Sequence, residues 1–265
     1  MSVTYEFRVE GHLDRHWSVF LGGLSLSHDG DGTSTLTGHV ADQAQLHGVL
    51  AGLRDIGAPL VSVRALSERE GKVVHSLSAL AWPKRTERLV LRPALSTDAE
   101  ATWRFRRLES VCRWLTVLPT SLESYRITFT DPARLATTLV VELDGRVIGD
   151  LMLRVEDPWA QREIADRARG TQAELGWVID PEFAGKGYAT EAVRALLRVS
   201  FEELGLRRVV AACFVDNESS WRLMERVGMR RELHAVGDAL HRSGAWLDTY
   251  GCAMLASEWA QTHWP

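Results

Sequence analysis

A strand, a glycine-containing turn and an amphipathic helix follow one another between residues 173 and 204. Residues 173–179 are mostly apolar and end at Asp180-Pro181, a pattern typical of a strand that leads into a turn. After the turn, apolar or small side chains recur every three or four residues, at Ala189, Val193, Leu196, Leu197, Ser200 and Leu204. This spacing predicts a helix with one buried face, and therefore a domain in which helices cover a sheet.

The turn between this strand and helix contains Gly185 and Gly187, and we predict that the helix begins within it, at Gly185. The first turn of a helix leaves several backbone N–H groups unpaired and carries a partial positive charge. Glycines there allow an anionic ligand to approach the backbone, so the turn is predicted to bind phosphate. The spacing matches neither a P-loop nor a dinucleotide fingerprint, which needs glycine where Thr190 stands. For an isolated Gly-x-Gly, a tight turn without a ligand would be the preferred interpretation.

The 265 residues divide into two parts. In the first, we predict a strand over residues 5–10, a hairpin of strands 21–27 and 33–40 around a glycine-rich turn, a helix over 43–54 and a strand over 60–65. This order indicates a small α+β domain over residues 1–70. Residues 67–87 are predicted to be a linker that could hold one short helix. A second domain is expected over residues 84–262.

The second part alternates predicted strands and helices. Its predicted strands cover residues 89–93, 139–143, 147–155, 173–179, 208–215, 230–236 and 246–254. Its predicted helices cover residues 98–109, 122–129, the stretch that ends at 204, and 217–227. Asp98 and Asn217 are expected to cap two of these helices. Residues 156–171 form a polar insertion.

Composition excludes several classes of function. The formal net charge is -4 without a basic block, so we expect no nucleic-acid partner. No segment could span a bilayer and the first residues lack a signal pattern, so we expect no membrane association and a cytoplasmic location. The widely spaced Cys112, Cys213 and Cys252 predict neither a disulfide framework nor a zinc site, and the scattered histidines of the first part predict no metal site.

Several motifs occur in an order that is more specific than the glycine turn alone. They lie at residues 86–89, 173–192, 215–221, 224–229 and 258–259. Together they resemble the motifs of GNAT-superfamily N-acetyltransferases, and most closely the branch that acetylates ribosomal-protein N-termini. The resemblance covers residues 86–259 and leaves residues 1–70 without an assigned role. It implies an α+β fold with a mixed, mostly antiparallel central sheet flanked by helices, after the small α+β domain.

The resemblance also implies acetyl-CoA as the co-substrate. The residues expected to bind it are Trp177, Val178, Ile179, Gly185, Lys186, Gly187, Tyr188, Ala189, Thr190 and Asn217. The amides of the glycine turn should hold the pyrophosphate, and residues 177–179 should pair with the pantetheine arm. The amide of Val178 or Ile179 could polarise the thioester carbonyl.

Two residues are expected to move protons. Glu174 is the expected general base for the attacking amine, with Asp150 as its rival. Ser220 is the expected proton donor to the thiolate, although its hydroxyl could instead bond to the helix backbone. Ala184 stands where the superfamily has Gln or Arg, and the helix after Asn217 contains no Tyr. A degenerate acyl-CoA-binding or regulatory protein without turnover therefore stays an alternative to an N-acetyltransferase.

The acceptor amine is expected to lie across Trp103, Arg104 and Arg107 and against the 156–171 insertion. An aromatic and acidic wall for a cationic amine could be formed there by Glu156, Asp157, Trp159 and Glu163. The sequence leaves open whether the acceptor is a small molecule, such as an antibiotic or a polyamine, or a peptide N-terminus. A homodimer is also left open.

Overall fold

The computed structural model describes residues 3–14, 17, 21–29, 32–66 and 77–261. Two compact units, Met1–Val73 and Val74–Pro265, make up the chain. Parts of two predicted features, the glycine-rich turn (residues 30–31) and the linker (residues 67–76), lie outside the described residues, as does His16.

The first unit is a four-stranded antiparallel sheet in the order β2-β3-β1-β4. Its elements are β1 (Val3–Glu10), β2 (Ser25–His28), β3 (Thr33–Val40), helix α1 (Gln43–Asp55) and β4 (Leu60–Leu66). Asp42 caps α1 by accepting a hydrogen bond of 2.8 Å from the Gln45 amide. Val49 and Leu53 of this helix pack in one core with Phe7 and Leu36 of the sheet.

The second unit is built on an eight-stranded sheet in the order β11-β12-β10-β9-β8-β7-β6-β5. The strands are β5 (Lys84–Arg85), β6 (Val90–Pro93), β7 (Thr138–Leu143), β8 (Arg146–Glu156), β9 (Gln172–Ile179), β10 (Arg208–Phe214), β11 (Arg230–Leu240) and β12 (Trp246–Leu255). Neighbouring strands are antiparallel except for β9 and β10, which are parallel. The predicted fold class is thereby confirmed.

Helices cover both faces of this sheet. They are α2 (Ala99–Arg106), α3 (Glu109–Cys112), α4 (Leu122–Phe129), α5 (Pro132–Leu135), α6 (Tyr188–Arg198), α7 (Glu218–Arg226) and α8 (Ala256–Trp259). Phe105 of α2 and Tyr125 and Phe129 of α4 pack with Val178 on one face. Val193 and Leu196 of α6 and Met224 of α7 pack with Leu175 on the other. Residues on alternate positions of β9 thus face different helices.

The predictions for the starts of α6 and α2 were wrong. The helix after the glycine turn begins at Tyr188, not at Gly185, because Gly185 and Gly187 adopt φ angles of 75° and 83°, which a right-handed helix excludes. This helix ends at Arg198 and is followed by a π-helical turn, Val199–Glu203. Asp98 does not cap α2; its carboxylate accepts hydrogen bonds from the Leu95 amide and from Arg92.

Candidate functional site

The parallel strands β9 and β10 separate partway along their length. Their pairing register ends where Glu174 lies opposite Val210, yet β9 continues to Ile179 and β10 to Phe214. On its other side, β9 stays paired with β8 up to Ile179. Beyond Glu174, none of the described strands pairs with β9 on the side of β10. An extended ligand could add to this edge by backbone hydrogen bonds, as in strand addition.

Hydrogen bonds at the two ends of β9 show which amides face the opening. The Asp180 amide donates to the Ile148 carbonyl on the β8 side, whereas the Thr171 carbonyl accepts from the Arg207 amide on the β10 side. Successive residues of a strand point their N–H and C=O groups to opposite sides, so the Val178 amide, two residues before Asp180, also points toward β8. The amides of Trp177 and Ile179 therefore point into the opening.

The glycine turn lies at the end of this edge. Asp180 first caps a short 3-10 turn, Pro181–Phe183, by accepting a hydrogen bond from the Glu182 amide. The left-handed backbone of Gly185 and Gly187 then brings the chain into α6. A Cβ atom added to Gly185 would meet no atom within 4 Å, so the space before this backbone is open.

The backbone amides of this turn have no partner within the described part of the chain. From Gly185 to Thr190, six successive N–H groups donate no hydrogen bond to the described residues, while the next amide, of Glu191, bonds to the Gly187 carbonyl. These donors lie at the positive end of α6. Unpaired amides, an open approach and a helix N-terminus together fit an anionic group such as a phosphate.

An ion pair from the beginning of the domain holds the glycine turn in place. Glu191 of α6 accepts hydrogen bonds from the Thr86 hydroxyl at 2.5 Å, the Arg88 amide at 2.9 Å and Arg88 Nε at 2.7 Å. Arg88 Nη1 donates to the Lys186 carbonyl at 3.1 Å. Partial burial raises the pKa of Glu191, but the hydrogen bonds from Thr86 and Arg88 outweigh it and lower this pKa. The sequence motif at residues 86–89 thus anchors the glycine turn through hydrogen bonds, a role that the sequence did not reveal.

A cleft of about 1750 Å³ collects most of the residues predicted for the site. Those that line it are Glu174, Trp177, Val178, Ile179, Gly185, Gly187, Tyr188, Ala189, Thr190, Asn217 and Ser220. Lys186 does not line it; its ammonium group lies 5.4 Å from the Phe183 ring centre and 3.4 Å from the Glu182 carbonyl. The cleft is larger than an ordinary small-ligand pocket, and could hold two substrates side by side.

Helix α7 and strand β10 form the cleft wall opposite β9. Asn217 occupies the position before α7, but its side chain does not cap the helix and instead accepts a hydrogen bond of 2.9 Å from the Ser219 hydroxyl. Burial raises the pKa of the Cys213 thiol to about 11, against a smaller lowering effect of the nearby Ser220 hydroxyl. Cys213 is therefore a protonated thiol at neutral pH.

Two ion pairs lie on the sheet face that carries α2 to α5. Glu174 is paired with Arg154 through its Oε2 atom. Asp150, only 2% exposed, accepts hydrogen bonds from Arg106 through both carboxylate oxygens, one of them at 2.6 Å. Burial lowers the pKa of Arg106, but the charge of Asp150 and its hydrogen bonds together outweigh burial, so that this pKa is raised. Asp150 thus serves as the counter-ion of Arg106, whereas Glu174 keeps one oxygen without a partner among the described residues.

We expect the substitution Asp150→Asn to destabilise the protein by about 3 kcal/mol, because it leaves a largely buried guanidinium without its charge partner. Urea denaturation of both proteins measures this difference. Glu100→Gln is the matched control: Glu100 forms an exposed pair with Arg126 at 3.2 Å, worth about 1 kcal/mol at most. Equal effects of the two substitutions would contradict the assignment of Asp150 as a structural counter-ion.

The acidic wall that the sequence predicted for a cationic amine does not form in the cleft. Trp159 is 89% exposed, and neither it nor Glu156, Asp157 or Glu163 lines the cleft. Glu156 accepts a hydrogen bond from Gln172 Nε2 of β9, and Asp157 accepts one from the Gly170 amide. The other predicted acceptor contacts also lie elsewhere: Trp103 packs on Tyr125, and Arg104 donates to Asp180.

Membrane-spanning helices and metal-binding clusters are both absent from the described residues. None of the described helices is both long and apolar enough to cross a membrane. No group of three or more His, Cys, Asp or Glu side chains in the described ranges is arranged to hold a metal ion.

Curated proteins similar to this chain include N-acetyltransferases. YnaD of Bacillus subtilis strain 168, an uncharacterized N-acetyltransferase, is 41% identical over 86 residues, which are 32% of this chain and 50% of YnaD. The ribosomal N-acetyltransferase-like protein YdaF of the same strain is 41% identical over 88 residues, 33% of this chain and 48% of YdaF. The chain thus spans about half the length of these curated relatives.

A solved structure agrees with these sequence relatives. The acetyltransferase (GNAT family) from Bacillus anthracis superposes with a TM-score of 0.56 at 29% identity, over 66% of this chain and 99% of the other. Residues 4–64 match a domain of unknown function, DUF8691. Residues 88–230, more than half of the chain, match the acetyltransferase (GNAT) domain. The chain therefore belongs to the GNAT acetyltransferase family.

Proposed function

We propose that this protein transfers the acetyl group of acetyl-CoA to an amine by direct attack in a ternary complex. The observation that carries the proposal is the open edge of β9, which leads to six amides at the start of α6 that have no partner among the described residues. An extended arm that ends in phosphates matches this arrangement, and CoA has that form. The GNAT family uses acetyl-CoA as its acetyl donor.

Each end of the cleft suits one part of the donor. The amides from Gly185 to Thr190 would bind the pyrophosphate, and Arg226, which donates to Thr190 Oγ1 at 3.4 Å, adds positive charge beside them. Trp177 and Ile179 would pair with the pantetheine arm. Of the two amides considered from the sequence for the thioester oxygen, that of Val178 faces β8 and not the opening, and that of Ile179 lies five strand residues, about 16 Å, from Glu174. Neither amide is therefore assigned to the oxyanion.

Proton transfers are assigned to the two cleft walls. Glu174 would accept the proton of the attacking amine, directly or through a water molecule, while Arg154 holds its carboxylate in position. As the carbon–sulfur bond breaks, Ser220 would donate a proton to the departing thiolate. Asn217, beside Ser220, would contact CoA.

A thiol-release assay with acetyl-CoA and a panel of amines tests this function. Release of CoA that depends on an amine, together with acetylated product identified by mass, is the expected result. Binding of CoA without turnover of any amine would instead support a regulatory acyl-CoA-binding protein. Ala184 at the position of the family's Gln or Arg motivates that alternative.

Direct attack predicts that Cys213 is not an acyl carrier, although its thiol lines the cleft. With its pKa raised to about 11, only about one thiol in a thousand is ionised at pH 8. We expect Cys213→Ala to keep the parent's turnover, and iodoacetamide to modify Cys213 faster as the pH rises toward 11. Mass spectrometry measures this labelling. An acetylated Cys213 trapped in the parent before amine is added would contradict direct attack.

A further inference from the structure

Arg134 is a cleft residue that the reaction described above does not use. It belongs to α5, a short helix capped by Asp131, whose carboxylate accepts from the Ala133 and Arg134 amides. The hydroxyls of Thr137 and Thr138 donate to the Arg134 carbonyl at 3.1 Å and 2.7 Å, which fixes its backbone at the start of β7. Its half-buried guanidinium lies beside two rings of α4, 5.4 Å from Tyr125 and 5.3 Å from Phe129.

The guanidinium of Arg134 is a surplus charge on this side of the cleft. The other cleft-lining charges there form pairs, Arg106 with Asp150 and Arg154 with Glu174. Across the described ranges, no carboxylate forms an ion pair or hydrogen bond with Arg134 Nε, Nη1 or Nη2. Burial and the nearby Arg106 charge lower the pKa of Arg134. A bound anion would relieve both effects, because an opposite charge stabilises the protonated guanidinium.

The donor's phosphates are not the anions that Arg134 is placed to bind. Arg134 stands on the face covered by α2 to α5, whereas the glycine turn leads into α6 on the opposite face. In the sheet, Thr138, whose hydroxyl bonds to Arg134, pairs with Met152 of β8, and Met152 pairs with Gly176 of β9. The glycine turn begins only after Ile179, further along β9. Three residues of strand, about 10 Å, separate these levels. Glu174, the proposed base, lies on the Arg134 side.

The geometry points to an acceptor that carries, besides its amine, an anionic carboxylate or phosphate group held by Arg134. The planar guanidinium can donate two parallel hydrogen bonds to either group. A polycation would instead meet an unpaired positive charge. This inference rests on the proposed acetyl transfer and adds the chemical class of its acceptor.

Acceptors that differ in their anionic group, and variants that remove or replace the guanidinium of Arg134, test this inference. L-Amino acids, their C-terminal carboxamides, aminoalkyl phosphonates of varied length, and spermidine serve as acceptors in the thiol-release assay. The parent, Arg134→Met and Arg134→Lys are compared, with Arg126→Met as the control because Arg126 is an exposed arginine of α4. Thermal melting and CoA binding establish that each variant is folded.

We expect the parent to prefer carboxylate or phosphonate acceptors over their neutral or cationic counterparts. Arg134→Met should lower kcat/KM for the anionic acceptor by about 10- to 100-fold, which corresponds to the free energy of a charge-assisted hydrogen bond. The kcat/KM for the matching carboxamide should stay unchanged. The better of the two anionic series identifies the group. A preference for spermidine or carboxamides would overturn the inference but not the proposed function. An equal effect of Arg134→Met on the amino acid and on its carboxamide would do the same. No turnover with any amine would contradict both.

Discussion

Replacing Gly187 by aspartate is expected to weaken CoA binding by about a thousandfold. Gly187 precedes α6 with a φ of 83°, a conformation that aspartate tolerates better than most residues do, so the fold should survive. A Cβ atom at Gly187 would lie 3.4 Å from Arg88 Nη2, so the new carboxylate would stand beside the guanidinium that holds the turn and next to the amides where the phosphates are proposed to bind. Repulsion between unit charges about 4 Å apart near a protein surface is about 4 kcal/mol, which corresponds to roughly a factor of 1000.

Two further variants separate charge from backbone effects. Gly187→Asn has nearly the same shape without the charge, and should weaken binding much less. Gly205→Asp places aspartate at another left-handed glycine, with a φ of 65°, away from the cleft, and should leave the affinity unchanged. Calorimetric titration with CoA measures all three. Tight binding by Gly187→Asp would show that the turn does not hold the pyrophosphate.

Replacing Glu174 by glutamine is expected to lower kcat by about 100- to 10,000-fold, the usual contribution of a general base. The affinity for CoA should not change, because the side chain lies on the sheet face of β9 and not in the glycine turn. Stopped-flow thiol release at saturating acetyl-CoA measures the change in kcat.

Glu156→Gln provides the matched control for this substitution. Glu156 Oε2 lies 3.9 Å from Nε of the same Arg154, but Glu156 does not line the cleft. A normal kcat in this variant would show that loss of an Arg154 partner is not the cause. A fall in kcat of less than about tenfold in Glu174→Gln would place the base elsewhere.

Regular elements of the second unit could be predicted because their signals are local. The apolar strand patterns on either side of the Asp144-Gly145 turn predict the two strands there. The apolar stripe from Val193 to Leu197 predicts α6. Its start could not be placed correctly from pattern alone. Glycine fits a helix N-terminus as well as a left-handed turn, and only the backbone angles separate the two.

Partners far apart in the sequence account for what could not be predicted. The bond between Arg88 and Glu191 joins residues 103 positions apart, and neither stands out by itself. The pair of Arg106 and Asp150 likewise changes the interpretation of Asp150 from rival base to counter-ion. Local composition also misled: the acidic side chains of residues 156–163 suggested an acceptor wall, yet none of the four residues named for it lines the cleft.

A crystal structure of the protein with bound CoA is the most direct test of the central claim, that the β9 edge and the glycine turn form a donor site. The predicted result is that pyrophosphate oxygens lie about 2.7–3.2 Å from amides between Gly185 and Thr190. The pantetheine arm should run along β9 and bond to Trp177 or Ile179. CoA bound with its pyrophosphate away from the glycine turn would contradict the account.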